Sequence, residues 1–295
     1  NSKYMKEAAL DVKDRKENYI TNGFYDESGR LLKSDIKITT TNFVSMEFVQ
    51  LDGYFGIQTT QRIIGFNNDD LLDENVISFL EPSLGTGAFY SALVHEMSKS
   101  EKNIKQATGV EFDSEYFSIA KSIWSDSCLQ VYNVDFTHFS TDGRYNLLIT
   151  NPPYVRHHYI SQEEKNYLGE CAKEEIGIEV SGLAGLYCYF MLLSHKWLAP
   201  GAICGWLIPS EFMDVNYGKA IKEYLLNKVH LLRVHRYDPV NSKFDDALVS
   251  SCVVWFKNEI LNYDYSIEFS YGGTHKVPLQ SKVIKKSVLQ SERCF

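Results

Sequence analysis

The 295-residue chain is long enough for one large domain or for one domain with a substantial appendage, and its 44% hydrophobic content is ample for a packed core. A formal net charge of −8 excludes a surface that is basic all over, so any nucleic-acid contact has to rest on local patches or on a further module. No run of eighteen apolar residues and no secretory segment is present, and the six scattered cysteines lack a C-x-x-C pair, which reads as free thiols in a reducing cytoplasm with no membrane span.

Residues 3–20, KYMKEAALDVKDRKENYI, mix charge with apolar residues at helical spacing and predict an exposed helix, followed by a bend at Asn22-Gly23. From about residue 76 short apolar runs alternate with longer amphipathic stretches, the pattern of a parallel sheet with crossover helices. Strands are expected at 76–81, 106–112, 129–136, 145–150, 201–209, 229–237 and 248–257, and helices at 87–99, 114–124, 161–173, 184–198 and 216–228. Only a loop separates the last two strands, so they should pair antiparallel. The expectation is an α/β, Rossmann-like fold: a seven-stranded, mostly parallel sheet with a final antiparallel hairpin and helices on both faces.

Ligands of such sheets gather at the carboxyl ends of the strands. The first strand runs into EPSLGTG, where Gly85 and Gly87 permit a tight turn and close approach of a ligand to backbone N–H groups; many strand-to-helix turns use glycine for geometry alone. The second ends at Glu111-Phe112, where an acidic residue can accept from ribose hydroxyls or simply cap the next helix. The third ends at Asp135-Phe136, equally readable as acceptor and ring for a base or as a turn aspartate beside a core phenylalanine.

The fourth strand ends in Asn151-Pro152-Pro153-Tyr154. Two prolines fix φ and remove two donors, Asn151 adds a side-chain carbonyl, and Tyr154 adds a flat ring. Rigid acceptors beside a stacking face suit a planar amine, and a loop shaped only for solubility has no reason for such stiffness.

These motifs, in this order over residues 56–257, resemble the S-adenosylmethionine-dependent DNA adenine-N6 methyltransferases of the NPPY type, the gamma class of type II restriction–modification systems. The resemblance implies a class I methyltransferase fold and a chain that acts on double-stranded DNA, taking its methyl group from S-adenosylmethionine and leaving S-adenosylhomocysteine, with no metal. It implies that Glu81, Gly85 and Gly87 surround the methionine part of the cofactor. Glu111 would hold the ribose, Phe112 would lie beside the adenine, and Asp135 would accept from its amine, with Phe136 close by. Phe190, closing LYCYF, would wall the same adenine, and Thr59 would contact the methionine group, although the family's Thr-Pro is here Thr59-Thr60.

For the target base the resemblance implies that Asn151 and Pro152 accept from the amine while Tyr154 and Phe244 sandwich the ring. Arg156, His157 and His158 would touch the DNA backbone. Two adjacent histidines with no nearby Cys or Asp cluster make poor metal ligands. Lys219, Lys222, Lys228, Arg233, Arg236 and Lys243 form a basic segment that reads evenly as a flank of a DNA cleft or as a solvated face.

Residues 1–55 are expected to be a helical or irregular extension, 56–257 the catalytic domain, and 258–295 a connecting segment towards a recognition domain that is absent or truncated. The start at Asn1 rather than a methionine points the same way, to a part of something longer, with a restriction endonuclease as partner or fused domain. Two alternatives stay open, an NPPY enzyme acting on RNA adenine or on protein glutamine and a non-catalytic cofactor- or DNA-binding subunit; a nicotinamide dehydrogenase would share the fold and Glu111 but does not explain Asn151 to Tyr154.

Overall fold

A computed structural model describes residues 76–97, 103–238, 251–273 and 277–292. The expected extension 1–55, Thr59, Phe244, Lys243, Lys276 and Cys294 lie outside the described residues. The chain divides into two compact units, whose described parts are 76–97 with 103–136, and the described residues from 137 onward.

In the first unit, β1 (Val76–Glu81), β2 (Asn103–Glu111) and β3 (Leu129–Asn133) form parallel pairs in the order β3-β2-β1. Helix α1 (Ala88–Met97) follows β1 and α2 (Ser114–Ile123) follows β2. Phe79, Leu80, Ala107 and Val110 are sealed from solvent, as expected where consecutive strand residues are covered on both faces. Strand β2 starts at Asn103, earlier than its polar opening suggests, because Val76 and Ile77 pair with Asn103 and Ile104. Strand β3 stops at Asn133, short of the expected Phe136, because β2 ends at the paired Glu111 and offers no further ladder.

Asp113 caps α2, its carboxylate accepting from the Glu115 and Tyr116 N–H groups at 2.8 and 3.2 Å.

The second unit holds β4 (Tyr145–Thr150), β5 (Leu198–Pro209), β6 (His230–Arg236), β7 (Ser251–Lys257), β8 (Ser266–Gly273) and β9 (Pro278–Lys285), ordered β4-β5-β7-β6-β8-β9. Strands β4 and β5 are parallel, and β6 and β7 form the anticipated antiparallel pair. Its helices are α3 (Gln162–Ile176), α4 (Leu186–Ser194), α5 (Lys219–Asn227) and α6 (Lys286–Glu292). Ser161 caps α3 at the Glu164 N–H, 3.1 Å away, and Gly177, at φ 69°, ends it beyond the expected residue 173. Helix α4 is buried on every side from Tyr187 to Ser194, so no periodicity marks its ends, and it is shorter than expected.

The expectation of seven strands is corrected to nine among the described residues. Strand β8 pairs parallel with β6, and β9 pairs antiparallel with β8, both within the segment 258–295. Strand β9 is exposed along nearly its whole length, so it carries none of the apolar alternation by which strands are recognised.

Candidate active site

At the carboxyl end of β1, Glu81 is only 1% exposed, and its Oε2 has no hydrogen-bond partner among the described residues. Burial pushes its pKa well above the usual carboxylate range; a hydrogen bond from the Tyr90 backbone pulls the other way, and repulsion from Glu111 adds to the rise. The turn after Glu81 bends through Gly85 at φ 57° and Gly87 at φ 88°, a region that side chains disfavour. A Cβ on Gly87 would collide with the indole of Trp124, whose Nε1 donates to the Thr86 carbonyl at 2.9 Å. A Cβ on Gly85 would meet nothing within 4 Å, so that glycine serves the turn and leaves open space above it.

The Gly85 N–H donates to Glu111 Oε2 at 2.8 Å, and the Asp113 N–H donates to Glu111 Oε1 at 2.8 Å. Burial raises the Glu111 pKa, with the backbone bonds from Asp113, Gly85 and Phe112 pulling it down. The carboxylate thus keeps acceptor capacity for a hydroxyl donor.

Next to it Phe112 is 75% exposed. Asn133, which sequence reasoning passed over as an ordinary strand residue, donates from Nδ2 to the Glu111 and Phe112 carbonyls at 2.9 and 3.0 Å. Asp135 is half-buried, whereas Phe136 belongs to the core at 1% exposure.

In the second unit Thr150 closes β4 in register with Trp206 of β5, which carries Asn151 and Pro152 past the end of the ladder. Asn151 Oδ1 is buried and has no hydrogen-bond partner among the described residues, and Pro152 is buried beside it. Tyr154 turns back across β5, its hydroxyl donating to the Leu207 carbonyl at 3.1 Å, which fixes the ring. The Leu186 N–H donates to the Val155 carbonyl at 2.9 Å, tying the start of α4 to the same loop.

Ser210, just past the end of β5, is also buried with an unpartnered Oγ; a serine at a strand end carries no sequence signal that would have singled it out. Phe190 lies in the buried body of α4 at 4% exposure. Arg156 is exposed and precedes a short 3-10 turn, His157–Tyr159, in which the two histidine rings meet edge-on at 5.4 Å. Among the described residues no group of three His, Cys, Asp or Glu side chains could hold a metal ion.

The basic segment divides. Arg233 is buried at 5% exposure, its guanidinium donating to Ser270 Oγ from Nε and Nη2 at 3.3 and 3.0 Å and pairing with Glu268 at 3.3 Å, so it does not belong to an exposed face. Lys222 donates to the Met213 carbonyl and Arg236 faces Asp214 at 3.6 Å.

The fold is that of the class I S-adenosylmethionine-dependent methyltransferases. A solved structure from Listeria monocytogenes described by that class superposes with a TM-score of 0.58 at 10% identity, covering 79% of this chain and 72% of that one.

The model of the Eco57I restriction-modification methylase family matches residues 90–242, more than half of the chain, and the chain belongs to that family. A model of the YybI C-terminal domain matches residues 1–77. The type II methyltransferase M.AccI of Acinetobacter calcoaceticus is 31% identical over 181 residues, 61% of this chain and 32% of its own length. M.XamI of Xanthomonas campestris pv. amaranthicola is 32% identical over 114 residues, 37% of this chain and 20% of its own length. The chain thus spans a third or less of the curated relatives it matches. No helix among the described residues is long and apolar enough to cross a membrane.

Proposed function

We propose that this chain is the catalytic portion of a DNA methyltransferase of a restriction–modification system, which transfers a methyl group from S-adenosylmethionine to N6 of a flipped-out adenine. The observation that carries the proposal is Asn151: a buried side-chain carbonyl without a partner among the described residues, followed by a proline whose own carbonyl adds a second acceptor. A buried acceptor left unsatisfied costs about 1–3 kcal/mol, and an incoming amine with two N–H donors relieves that cost.

The first unit has groups that fit the cofactor. Glu81 is a buried carboxylate able to face a cation, Glu111 has acceptor capacity for a diol, and Phe112 exposes a ring for adenine. Bound there, S-adenosylmethionine would supply an electrophilic methyl carbon on a sulfonium. The chain itself supplies position: the N6 lone pair of adenine is delocalised into the ring, and acceptance of both N–H hydrogens by Asn151 Oδ1 and the Pro152 carbonyl favours a pyramidal nitrogen with its lone pair free. Neither acceptor is a strong base, so the proton leaves after transfer, and the displacement is direct, with no covalent enzyme intermediate.

Extruding the base from a duplex costs a few kcal/mol. Stacking on Tyr154, held by Leu207, returns about 1–3 kcal/mol, and Phe244 is proposed for the other face. Arg156, His157 and His158 are proposed for the backbone of the flipped strand, and a restriction endonuclease is proposed as partner or fused domain.

The test is transfer of a labelled methyl group to DNA, RNA and protein substrates, with nucleoside analysis of the product. Label in DNA as N6-methyladenine is expected; label confined to RNA or to glutamine, or label in no substrate, overturns the proposal.

A further inference from the structure

Asn133 makes three hydrogen bonds with one amide, and together they leave it a single orientation. Its Oδ1 accepts from the Ser114 hydroxyl at 3.0 Å, which places Nδ2 on the opposite side, and Nδ2 sends its two hydrogens to the Glu111 and Phe112 carbonyls at 2.9 and 3.0 Å. Asn133 is also the last residue of β3 and pairs in register with Glu111, the last residue of β2. Beyond that pair the ladder is over, so nothing in the sheet holds the carbonyl of Phe112; the Asn133 amide replaces the missing rung.

The two carbonyls it grips flank Phe112 and belong to the two residues whose side chains fit the adenosine part of a cofactor. Turning both carbonyls toward β3 leaves the Phe112 ring projecting into solvent at 75% exposure. The Glu111 carboxylate is held at the same time by the Gly85 and Asp113 N–H groups. The amide lies on the surface rather than in the core, so its donors are not needed to satisfy a buried interior.

We propose that Asn133 is a positioning residue for cofactor binding: with Ser114 it clamps the tip of β2 so that Glu111 meets the ribose hydroxyls and Phe112 meets the adenine without rearrangement. The inference rests on the cofactor reading given above. It assigns Asn133 no contact with the ligand; its effect passes through Glu111 and Phe112, by removing the ordering cost that a loose strand end would add to binding.

Calorimetric titration of the chain with S-adenosylhomocysteine and with an analogue lacking both ribose hydroxyls tests it. The wild type should prefer the hydroxylated ligand. Asn133→Ala should weaken S-adenosylhomocysteine roughly tenfold and shrink that preference, because loss of the clamp removes interactions of the order of one or two net hydrogen bonds. Asn133→Asp should shrink it further, since a carboxylate cannot donate to the two carbonyls and repels them. Ser114→Ala, which only frees Oδ1, should fall between wild type and Asn133→Ala and serves if the Asn133 variants fold poorly.

Wild-type binding with an unchanged preference in Asn133→Ala and Ser114→Ala overturns the positioning role while leaving the cofactor reading intact. A wild type that binds both ligands equally overturns the ribose role of Glu111, and a wild type that binds neither overturns the cofactor reading; each takes this inference with it.

Discussion

The carboxyl ends of the strands in the two units are built on opposite principles. In the first, polar groups answer one another: Glu111 takes an N–H on each oxygen, Asp113 caps α2, and Asn133 holds two carbonyls. In the second, the polar groups beside the strand ends are left open, with Asn151 Oδ1 and Ser210 Oγ buried and unpartnered. A preassembled edge suits a ligand that must be held in one pose, and an unanswered acceptor suits a group that arrives carrying its own donors. Glu81 is the exception within the first unit, since its Oε2 is also unanswered, and it is the group there best placed to wait for a cation.

The comparison breaks most sharply at Asn151. Removal of its carbonyl in Asn151→Ala should lower methyl transfer by roughly a hundredfold to a thousandfold, the scale on which loss of one preorganised hydrogen-bonding group acts. Binding of S-adenosylhomocysteine by the same variant, followed by calorimetry, should stay unchanged; near wild-type turnover would show that the open acceptor has no chemical role.

The next effect falls on the answered edge. Gly87→Ala should cost about 1–3 kcal/mol of folding stability, because the residue sits at φ 88° and its new methyl would displace Trp124 from the Thr86 carbonyl. Denaturant titration measures this, and the Trp124 fluorescence should shift with it.

Glu81 yields a pH effect whose sign follows from its raised pKa. From its ordinary value of 4.5 upward to the raised value, the folded chain keeps a proton that the unfolded chain has released, so stability falls as pH rises through that interval. Glu81→Gln should flatten this slope in thermal unfolding. A cation beside Glu81 favours the carboxylate, so within the same interval binding of S-adenosylmethionine should release a proton, read as a calorimetric enthalpy that varies with the ionisation enthalpy of the buffer. An enthalpy independent of buffer would contradict it.

The smallest effect belongs to Tyr154→Phe, which keeps the ring but drops the bond to Leu207. It should raise the KM for DNA by a factor corresponding to about 0.5–1.5 kcal/mol, with kcat little changed. Tyr154→Ala, lacking the stacking face as well, should do worse, and equal losses in both variants would place the hydroxyl rather than the ring at the centre of its role.

Much of this organisation is legible in the residues. The apolar runs at 76–81 and 145–150 became strands with those bounds, and the EPSLGTG turn and the Asn-Pro-Pro-Tyr tip stand at strand ends as their order suggests. Strand β9 was not legible, because a strand exposed along nearly its whole length lacks apolar alternation, whereas β8 alternates Ile267, Phe269 and Tyr271 with Ser266, Glu268 and Ser270 and was passed over within the segment expected only to connect. Phe136 reads in sequence either as a ring at a strand end or as a core phenylalanine, and its burial was decided by what packs against it, which no local pattern encodes. Arg233 looked like part of a basic face and is instead gripped by Ser270 and Glu268 of β8, more than thirty residues further along the chain.

By itself the sequence determined the periodicities, the strand-end chemistry and the stiffness of Asn151 to Tyr154, because these follow from local sterics and from the period of apolar residues along the chain. Only the tertiary structure decided which polar groups answer one another. The bonds of Glu111 to Gly85, of Asn133 to Phe112 and of Tyr154 to Leu207 join residues 26, 21 and 53 positions apart, and hydrogen bonding at a few ångströms is set by how strands are laid side by side rather than by neighbours in sequence.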